Sequence, residues 1–182
     1  MIHAQNSVAH IRSRLPAPRR CGDTSLPGAI CLFLSVLAYA AQMLQRASRE
    51  VLLVLADPDL EAVRAEIEQT CARGLAVSTL LTGSASLDCG QVARHPPLES
   101  KLQGLTGMLV VVADRDEALI ASTDAGMSAT ITSNRNLVLI ARQFVWMELF
   151  TQRISTRLGA ELLDRLDPED RKIFEYAADA AV

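Results

Sequence analysis

The chain has 182 residues, of which 49% are hydrophobic and 21% charged, a composition typical of a globular domain and not of a disordered chain. Its net charge of -3 is uneven, because residues 1–30 hold four arginines and one acid, which leaves 14 basic and 20 acidic residues in the remainder. An acidic body repels nucleic-acid phosphates, so we expect any DNA contact to belong to another segment.

The four cysteines show no C-x-x-C spacing, which disfavours both a disulfide framework and a structural zinc site. Reduced thiols are typical of the cytoplasm, and we expect the protein to be cytoplasmic. The sequence contains no glycine-rich phosphate loop, dinucleotide fingerprint or nucleophile elbow. It therefore predicts neither a metal nor another cofactor.

The N-terminal part divides into two segments. Residues 1–29 lack hydrophobic periodicity and contain prolines and arginines, so we expect them to be disordered or poorly packed. Residues 30–48 predict an apolar helix that must be covered, and we interpret it as a linking or dimerisation helix. The nearly uncharged stretch 26–44 leaves open a signal peptide or a membrane anchor, although Pro27 interrupts its start.

A strand–helix–strand unit follows: a strand at 50–56, a helix at 59–73 and a strand at 76–81. The first strand is a continuous apolar run, as in a strand buried on both faces. We expect Asp57 or Asp59 to cap the helix and Gly74 to end it. Such a unit predicts parallel strands with a right-handed crossover.

The second half predicts a long connection, a hairpin and a long helix. The connection spans 82–106, and the hairpin strands are 108–113 and 117–122, followed by a short strand at 129–132. Ser133 or Asn134 caps a helix from 135 to about 156, and a short final helix lies within 158–178.

The long helix is apolar on almost every face between residues 137 and 150. We expect Phe144, Trp146 and Phe150 to be core residues. A helix of this kind should also bury a second face, either against the 30–48 helix or against another subunit, and this predicts a homodimer.

Two groups of polar residues are candidates for ligand binding. One is a charged lip over a cleft at the carboxyl ends of the parallel strands, where open α/β sheets bind ligands; the other is a polar cluster that could hydrogen-bond a small polyol or sugar at a helix N-terminus. For each residue a solvated loop, a turn or a helix cap is an alternative interpretation. The lip consists of Arg94, His95 and Glu99, and the cluster of Asp114, Ser122, Ser133 and Asn134.

Four segments carry a resemblance to a known family: ASREVLLVLADPDL, CARGLAVSTLL, MLVVVADRDEALIAS and TITSNRNLV. The stretch from Ala47 to about Phe150 resembles the effector-binding domain of TrmB-type, sugar-sensing transcriptional regulators, where "A..EV.L" followed by "..RG..V..L" recurs. The resemblance implies that residues 49–182 form an α/β, phospholipase D-like half, with a mixed, mainly parallel sheet flanked by helices and long C-terminal helices.

The resemblance also implies that the chain is not an enzyme. With Asp114 as the aspartate of the phospholipase D motif HxKxxxxD, the histidine and lysine positions fall on Gly107 and Leu109. Without the imidazole no phosphoenzyme forms, and without the lysine a charge clamp on phosphate is lost. Regulators of this family begin with a winged helix-turn-helix that this sequence does not show, so we expect DNA contact only through a helix-turn-helix outside this chain.

Three hypotheses about function remain open. The favoured one is a non-catalytic, effector-binding regulatory domain with a small molecule, a sugar among the candidates, as its partner. The alternatives are a membrane-anchored interaction domain and a hydrolase of an unfamiliar type that uses Asp114, His95 and Glu99.

Overall fold

The computed structural model describes residues 28–95, 105–122, 128–158, 165 and 167–169. Three helices flank one sheet there: α1 (Gly28–Arg46), α2 (Asp57–Ala72) and α3 (Arg135–Leu158). The strands are β1 (Glu50–Leu55), β2 (Ala76–Leu81), β3 (Gln91–Arg94), β4 (Met108–Ala113), β5 (Glu117–Ser122) and β6 (Ser128–Thr132). The fold is α/β, as the sequence predicts.

The six strands form a mixed sheet in the order β3-β2-β1-β4-β5-β6. The predicted strand–helix–strand unit is confirmed, because β1 pairs with β2 in parallel and α2 makes the crossover. The sheet is less parallel than predicted: β2–β3 is the other parallel pair, whereas β1–β4, β4–β5 and β5–β6 are antiparallel. The reason is that β4 enters beside β1 in the reverse direction, and each later reversal adds another antiparallel neighbour.

The sheet separates two hydrophobic layers. Side chains alternate between the faces of a strand, and in β1 the odd positions Val51, Leu53 and Leu55 pack under α1 and α2, while Leu52 and Val54 pack under α3. This two-sided burial explains the uninterrupted apolar run of β1.

Helix α1 packs as a core element of the fold. It begins at Gly28 and ends at Arg46, two residues before the predicted bounds at each end, and Tyr39, Met43 and Leu44 are buried. Arg73 donates to three carbonyl oxygens at its C-terminal end, those of Leu44 at 2.6 Å, Gln45 at 2.8 Å and Ala47 at 3.1 Å. No helix among the described residues has the length and apolarity needed to cross a bilayer. Of residues 1–29, which were predicted to be disordered or poorly packed, 28 and 29 are the first residues of α1, so that part of the prediction is wrong. Residues 1–27 lie outside the described part.

The predicted start of α3 is confirmed, but the prediction about its outer face is partly wrong. Asn134 Oδ1 accepts from the amides of Asn136 at 3.0 Å and Leu137 at 3.3 Å, as an N-cap does. The stacked rings of Trp146 and Phe150 are 45% and 48% exposed and not core. Helix α1 does not cover them, because it lies on the opposite face of the sheet, and a single helix on a sheet buries one stripe only.

Two more elements differ from the prediction. The connection after β2 contains the short strand β3, which the sequence pattern does not predict. Helix α2 begins at Asp57 with Ala56 as N-cap, and that cap has no side-chain hydrogen bond. Instead, the Asp59 carboxylate in the first turn accepts a hydrogen bond from the Ala56 amide. The Asp57 carboxylate does not cap the helix, because it accepts hydrogen bonds from the loop after β2. Most of the predicted final helix lies outside the described residues, although Arg165, Pro168 and Glu169 are helical.

Candidate functional site

The structure places the sequence-predicted site residues at two opposite edges of the sheet. We call the edge where β1, β2 and β3 end the carboxyl edge; it carries Arg94, His95 and Ser122. We call the other edge, where β1 begins, the amino edge; it carries Asp114, Ser133 and Asn134. Glu99 lies outside the described residues.

The two edges are too far apart for one ligand or one reacting atom. Asp114 donates its amide to Glu50 at the start of β1, whereas His95 donates to Leu81 at the end of β2. The edge that carries Asp114 and the edge that carries His95 are separated by the length of β1, whose six residues span about 17 Å at the rise of a β-strand. The predicted polar cluster is therefore split, and Asp114 and His95 do not form a catalytic pair.

At the carboxyl edge the polar side chains form hydrogen bonds that fix the loop directly after β2. Arg94 donates to the carbonyl oxygens of Gly83 and Ala85, the latter at 2.6 Å. Asp57 accepts from the amides of Ser84 and Ala85, each at 2.9 Å, and these hydrogen bonds, that from Ala85 first, hold the pKa of its carboxyl below the ordinary value. Gly83 approaches Asp57 so closely that a Cβ would collide with the carboxylate.

His95 is the only histidine among the described residues, and it is 1% exposed. The structure therefore places the predicted lip residue in the interior and not over a cleft. Ser122 lies at the same edge, four strands away from β3 in the sheet order.

At the amino edge Asp114 joins the β4–β5 hairpin to the chain entering β1. Its Oδ2 accepts from the Ser48 amide at 2.8 Å and hydroxyl at 3.0 Å, and its Oδ1 from the amides of Arg49 at 2.7 Å and Glu50 at 3.1 Å. Burial acts to raise the pKa of Asp114, but these hydrogen bonds outweigh it and the pKa lies below its ordinary value. Asp114 and Arg115 have φ of 55° and 68°, which explains how a turn without glycine closes the hairpin.

A charged network ties α3 to the same edge. Glu50 Oε1 lies 3.0 Å from Nε of Arg142 in α3 and 2.7 Å from Nε of Arg115 in the hairpin turn. Burial acts to raise the pKa of Glu50, but the hydrogen bonds and charges of the two arginines outweigh it, so the pKa is lowered. The sequence signal was Arg142 itself, a cation that interrupts the apolar run of α3.

A cavity of about 210 Å³ opens at the amino edge between the C-terminal end of α1 and the β4–β5 hairpin. Glu117 lies at its side, where it accepts from the Tyr39 hydroxyl at 2.7 Å and forms an ion pair with Arg46 at 3.5 Å. The Arg46 guanidinium also lies 5.7 Å from the Tyr39 ring centre. The cavity is lined by Met43, Arg46, Ala47, Ala113, Asp114, Asp116 and Glu117.

Of the predicted site residues, only Asp114 lines this cavity. Sequence reasoning missed Arg46 and Glu117, because they stand 71 positions apart and only the packing of α1 on the hairpin brings them together. The arrangement offers carboxylate acceptors and one guanidinium donor.

A second cavity of about 360 Å³ lies between α1 and α2, but its Arg73 and Thr70 already bind the end of α1. In the described part of the chain no three His, Cys, Asp or Glu residues are placed to hold a metal ion.

Comparison with known proteins gives fold neighbours only. No family model matches the chain, and no curated protein matches it. The solved structure of TrmBL2, an archaeal chromatin protein with a novel mode of DNA binding, is similar over 64% of this chain and 49% of its own, with 12% identity and a TM-score of 0.49. The chain thus spans about half the length of TrmBL2.

Two other solved structures are similar to this chain over more of their own length. NucT from Helicobacter pylori matches 65% of this chain and 89% of its own, with 10% identity and a TM-score of 0.46. Nuc from Salmonella typhimurium, a phospholipase D family member, matches 63% and 86%, with 12% identity and a TM-score of 0.40. These similarities assign neither an activity nor a ligand to the chain.

Proposed function

We propose that the chain is a non-catalytic regulatory domain of the TrmB type that binds a small polyhydroxylated effector, such as a sugar, in the cavity between α1 and the β4–β5 hairpin. The observation that carries the proposal is the composition of that cavity. Arg46 comes from α1, while Asp116 and Glu117 come from the hairpin, so a ligand there contacts both parts at once.

The polar groups of the cavity suit hydroxyl groups. A carboxylate accepts hydrogen bonds from hydroxyls, and a guanidinium donates to their oxygens. The Asp116 side chain is 77% exposed, and Glu117 retains acceptor capacity beyond its bonds to Tyr39 and Arg46. Asp114 lines the wall, but its carboxylate already accepts four hydrogen bonds. We therefore assign ligand contacts to Asp116, Glu117 and Arg46, and a positioning role to Asp114.

The absence of catalysis is supported by the positions where phospholipase D chemistry would need its reactive groups. Gly107 offers no side chain, and Leu109 is a fully buried core residue under α1 and α2. His95, the described imidazole, lies at the carboxyl edge and away from the cavity. A phosphodiesterase assay in which His95→Ala abolished turnover would favour the hydrolase alternative instead.

The position of the cavity also suggests how a signal leaves it. In the regulators that this sequence resembles, a linking helix connects the effector domain to the helix-turn-helix, and we assign the corresponding role to α1. An effector that binds two arrangements of α1 and the hairpin unequally would shift their populations. We place the protein in the cytoplasm, with DNA contact through a helix-turn-helix outside these residues.

A ligand screen on the full chain tests the proposal. A sugar or polyol at 100 times its Kd should stabilise the fold by about 2.7 kcal/mol, which raises Tm by roughly 5–10 °C. Glu117→Gln and Asp116→Asn should remove most of the shift, whereas Asp88→Asn, at an exposed acid outside the cavity, should leave it unchanged. A panel of sugars and polyols that gives no shift would reject the ligand class, and a shift that survives both cavity variants would reject the site.

A further inference from the structure

The outer face of α3 is an apolar stripe that lies uncovered. Five large side chains on it are each 45–64% exposed, although the helix is otherwise docked on the sheet: Leu139, Ile140, Trp146, Met147 and Phe150. Gln143 is the polar residue in their midst, and it is also exposed. Apolar side chains that recur over three helical turns form one continuous surface, and contiguous exposed surfaces of this kind mark interaction sites.

The stripe has the spacing of a second helix-packing face. The sheet-facing side chains of α3 are buried at intervals of three and four residues: Val138, Ala141, Val145, Leu149 and Gln152. The exposed set repeats at the same intervals on the opposite side of the helix, from position 139 to position 150. At 1.5 Å per residue it extends for about 16 Å along the axis, which is the length of a helix–helix contact.

The described elements offer no cover for this stripe. Helices α1 and α2 lie on the other face of the sheet, and α3 is the one described helix of its layer. Within the stripe no side chain is charged, so association would desolvate no ion. Large aromatic side chains and methionine are enriched in the cores of protein interfaces.

The area of the stripe matches what a weak but specific dimer requires. About half of each of five large side chains, with Gln143, amounts to roughly 600 Å² per copy. Two such surfaces together bury about 1,200 Å², the lower end of the range for specific interfaces.

We propose that this stripe is the docking surface for a second copy of the chain, with two α3 helices packed antiparallel across a two-fold axis. In such an isologous contact residue i meets residue j and j meets i. Centring the axis on the stripe sets Leu139 and Ile140 against Phe150 of the second copy, and Gln143 against Trp146. The side-chain amide of Gln143 has both a donor and an acceptor, so its burial near the axis can be satisfied.

Sedimentation of the full chain between 1 and 200 µM tests the proposal. We expect a reversible dimer with a Kd in the micromolar range. Ile140→Glu places a charge in the contact and should raise Kd at least 100-fold. The matched control is Leu34→Glu, an apolar residue of α1 that is 52% exposed on the other side of the sheet, and it should change Kd by less than threefold.

Circular dichroism establishes that the variants fold, and Met147→Lys serves as a second stripe variant should Ile140→Glu fail to do so. A wild-type chain that stays monomeric at 200 µM overturns the proposal, as does a dimer that Leu34→Glu disrupts while the stripe variants do not. The same holds for a monomer that sediments with phosphatidylglycerol vesicles and loses this property on Ile140→Glu, because a lipid surface is then the occupant. These outcomes are independent of the effector screen, which concerns the opposite face of the sheet.

Discussion

The Asp114 carboxylate accepts four hydrogen bonds from Ser48, Arg49 and Glu50, so its replacement tests whether this residue fastens the α1–β1 junction to the hairpin. Each bond is worth about 0.5 kcal/mol after discounting for its partial exposure, which gives a total of roughly 2 kcal/mol. Asp114 also has φ of 55°, a conformation that costs alanine about 1 kcal/mol but glycine nothing.

Three substitutions at this position therefore have an expected order. Asp114→Asn keeps an acceptor and should cost about 1 kcal/mol, Asp114→Gly about 2 and Asp114→Ala about 3, each kcal/mol lowering Tm by roughly 2–4 °C. Urea denaturation with several probes gives the free energies of unfolding. Equal free energies of unfolding for Asp114→Gly and Asp114→Ala would refute the contribution of the backbone conformation. An Asp114→Asn variant as stable as wild type would refute the contribution of the charge.

The pH dependence of the same variants gives a second measurement. Because the pKa of Asp114 is lower in the folded chain than the value of about 3.9 in an unfolded one, its carboxylate stabilises the fold above that pH. The advantage of wild type over Asp114→Asn should thus stay constant from pH 8 to 5. It should shrink as the pH falls below about 4, towards the folded pKa. A difference that persists unchanged at pH 2.5 would contradict the assignment.

Three further substitutions or labelling tests follow from single contacts. Arg142→Met removes one partner of the half-buried Glu50 and should cost about 1 kcal/mol in urea denaturation, while no change would show that the hairpin arginine suffices. Gly90 and Gly74 have φ of 76° and 80°, but a Cβ at Gly90 would lie 2.7 Å from a carbonyl oxygen of β2 and one at Gly74 meets nothing. Gly74→Ala should lower the free energy of unfolding by about 1 kcal/mol. The Tm of Gly90→Ala should accordingly fall well below the Tm of Gly74→Ala. Burial raises the pKa of Cys89 to about 12, so iodoacetamide at pH 8 should label it only after unfolding, and stoichiometric labelling of the native chain would show otherwise.

Local sequence patterns predicted where the helices and strands lie in the chain better than they predicted the direction in which each strand runs in the sheet. The strand–helix–strand unit, the hairpin and the cap of α3 depend on neighbouring residues, and all three are confirmed. The four-residue strand β3 was missed, because it is too short for a period of two to show and it stands among loop residues.

The hydrolase alternative combines Asp114 with His95, and the structure separates these two residues for a directional reason. Both residues follow strands, and the ends of parallel strands do meet at one edge. Strand β4 runs antiparallel to β1, so its carboxyl end carries Asp114 to the edge where β1 begins. A single sequence does not encode this direction locally, since β4 is apolar throughout and would pair equally well either way.

The residues that carry the family resemblance have structural roles at one junction. In "A..EV.L", Ala47 directly follows α1 and is buried, and Glu50 forms an ion pair with Arg142. In "..RG..V..L", Arg73 donates hydrogen bonds to the last carbonyl oxygens of α1. These contacts explain how the position of α1 on the sheet is maintained, and they place the cavity at the amino edge. They contribute no ligand specificity, because their polar groups bind the chain itself. For the proposed effector site, specificity must therefore come from cavity residues outside the pattern, chiefly Asp116. We expect Asp116→Asn to change the ligand preference in the thermal-shift screen more than any substitution in the motifs does.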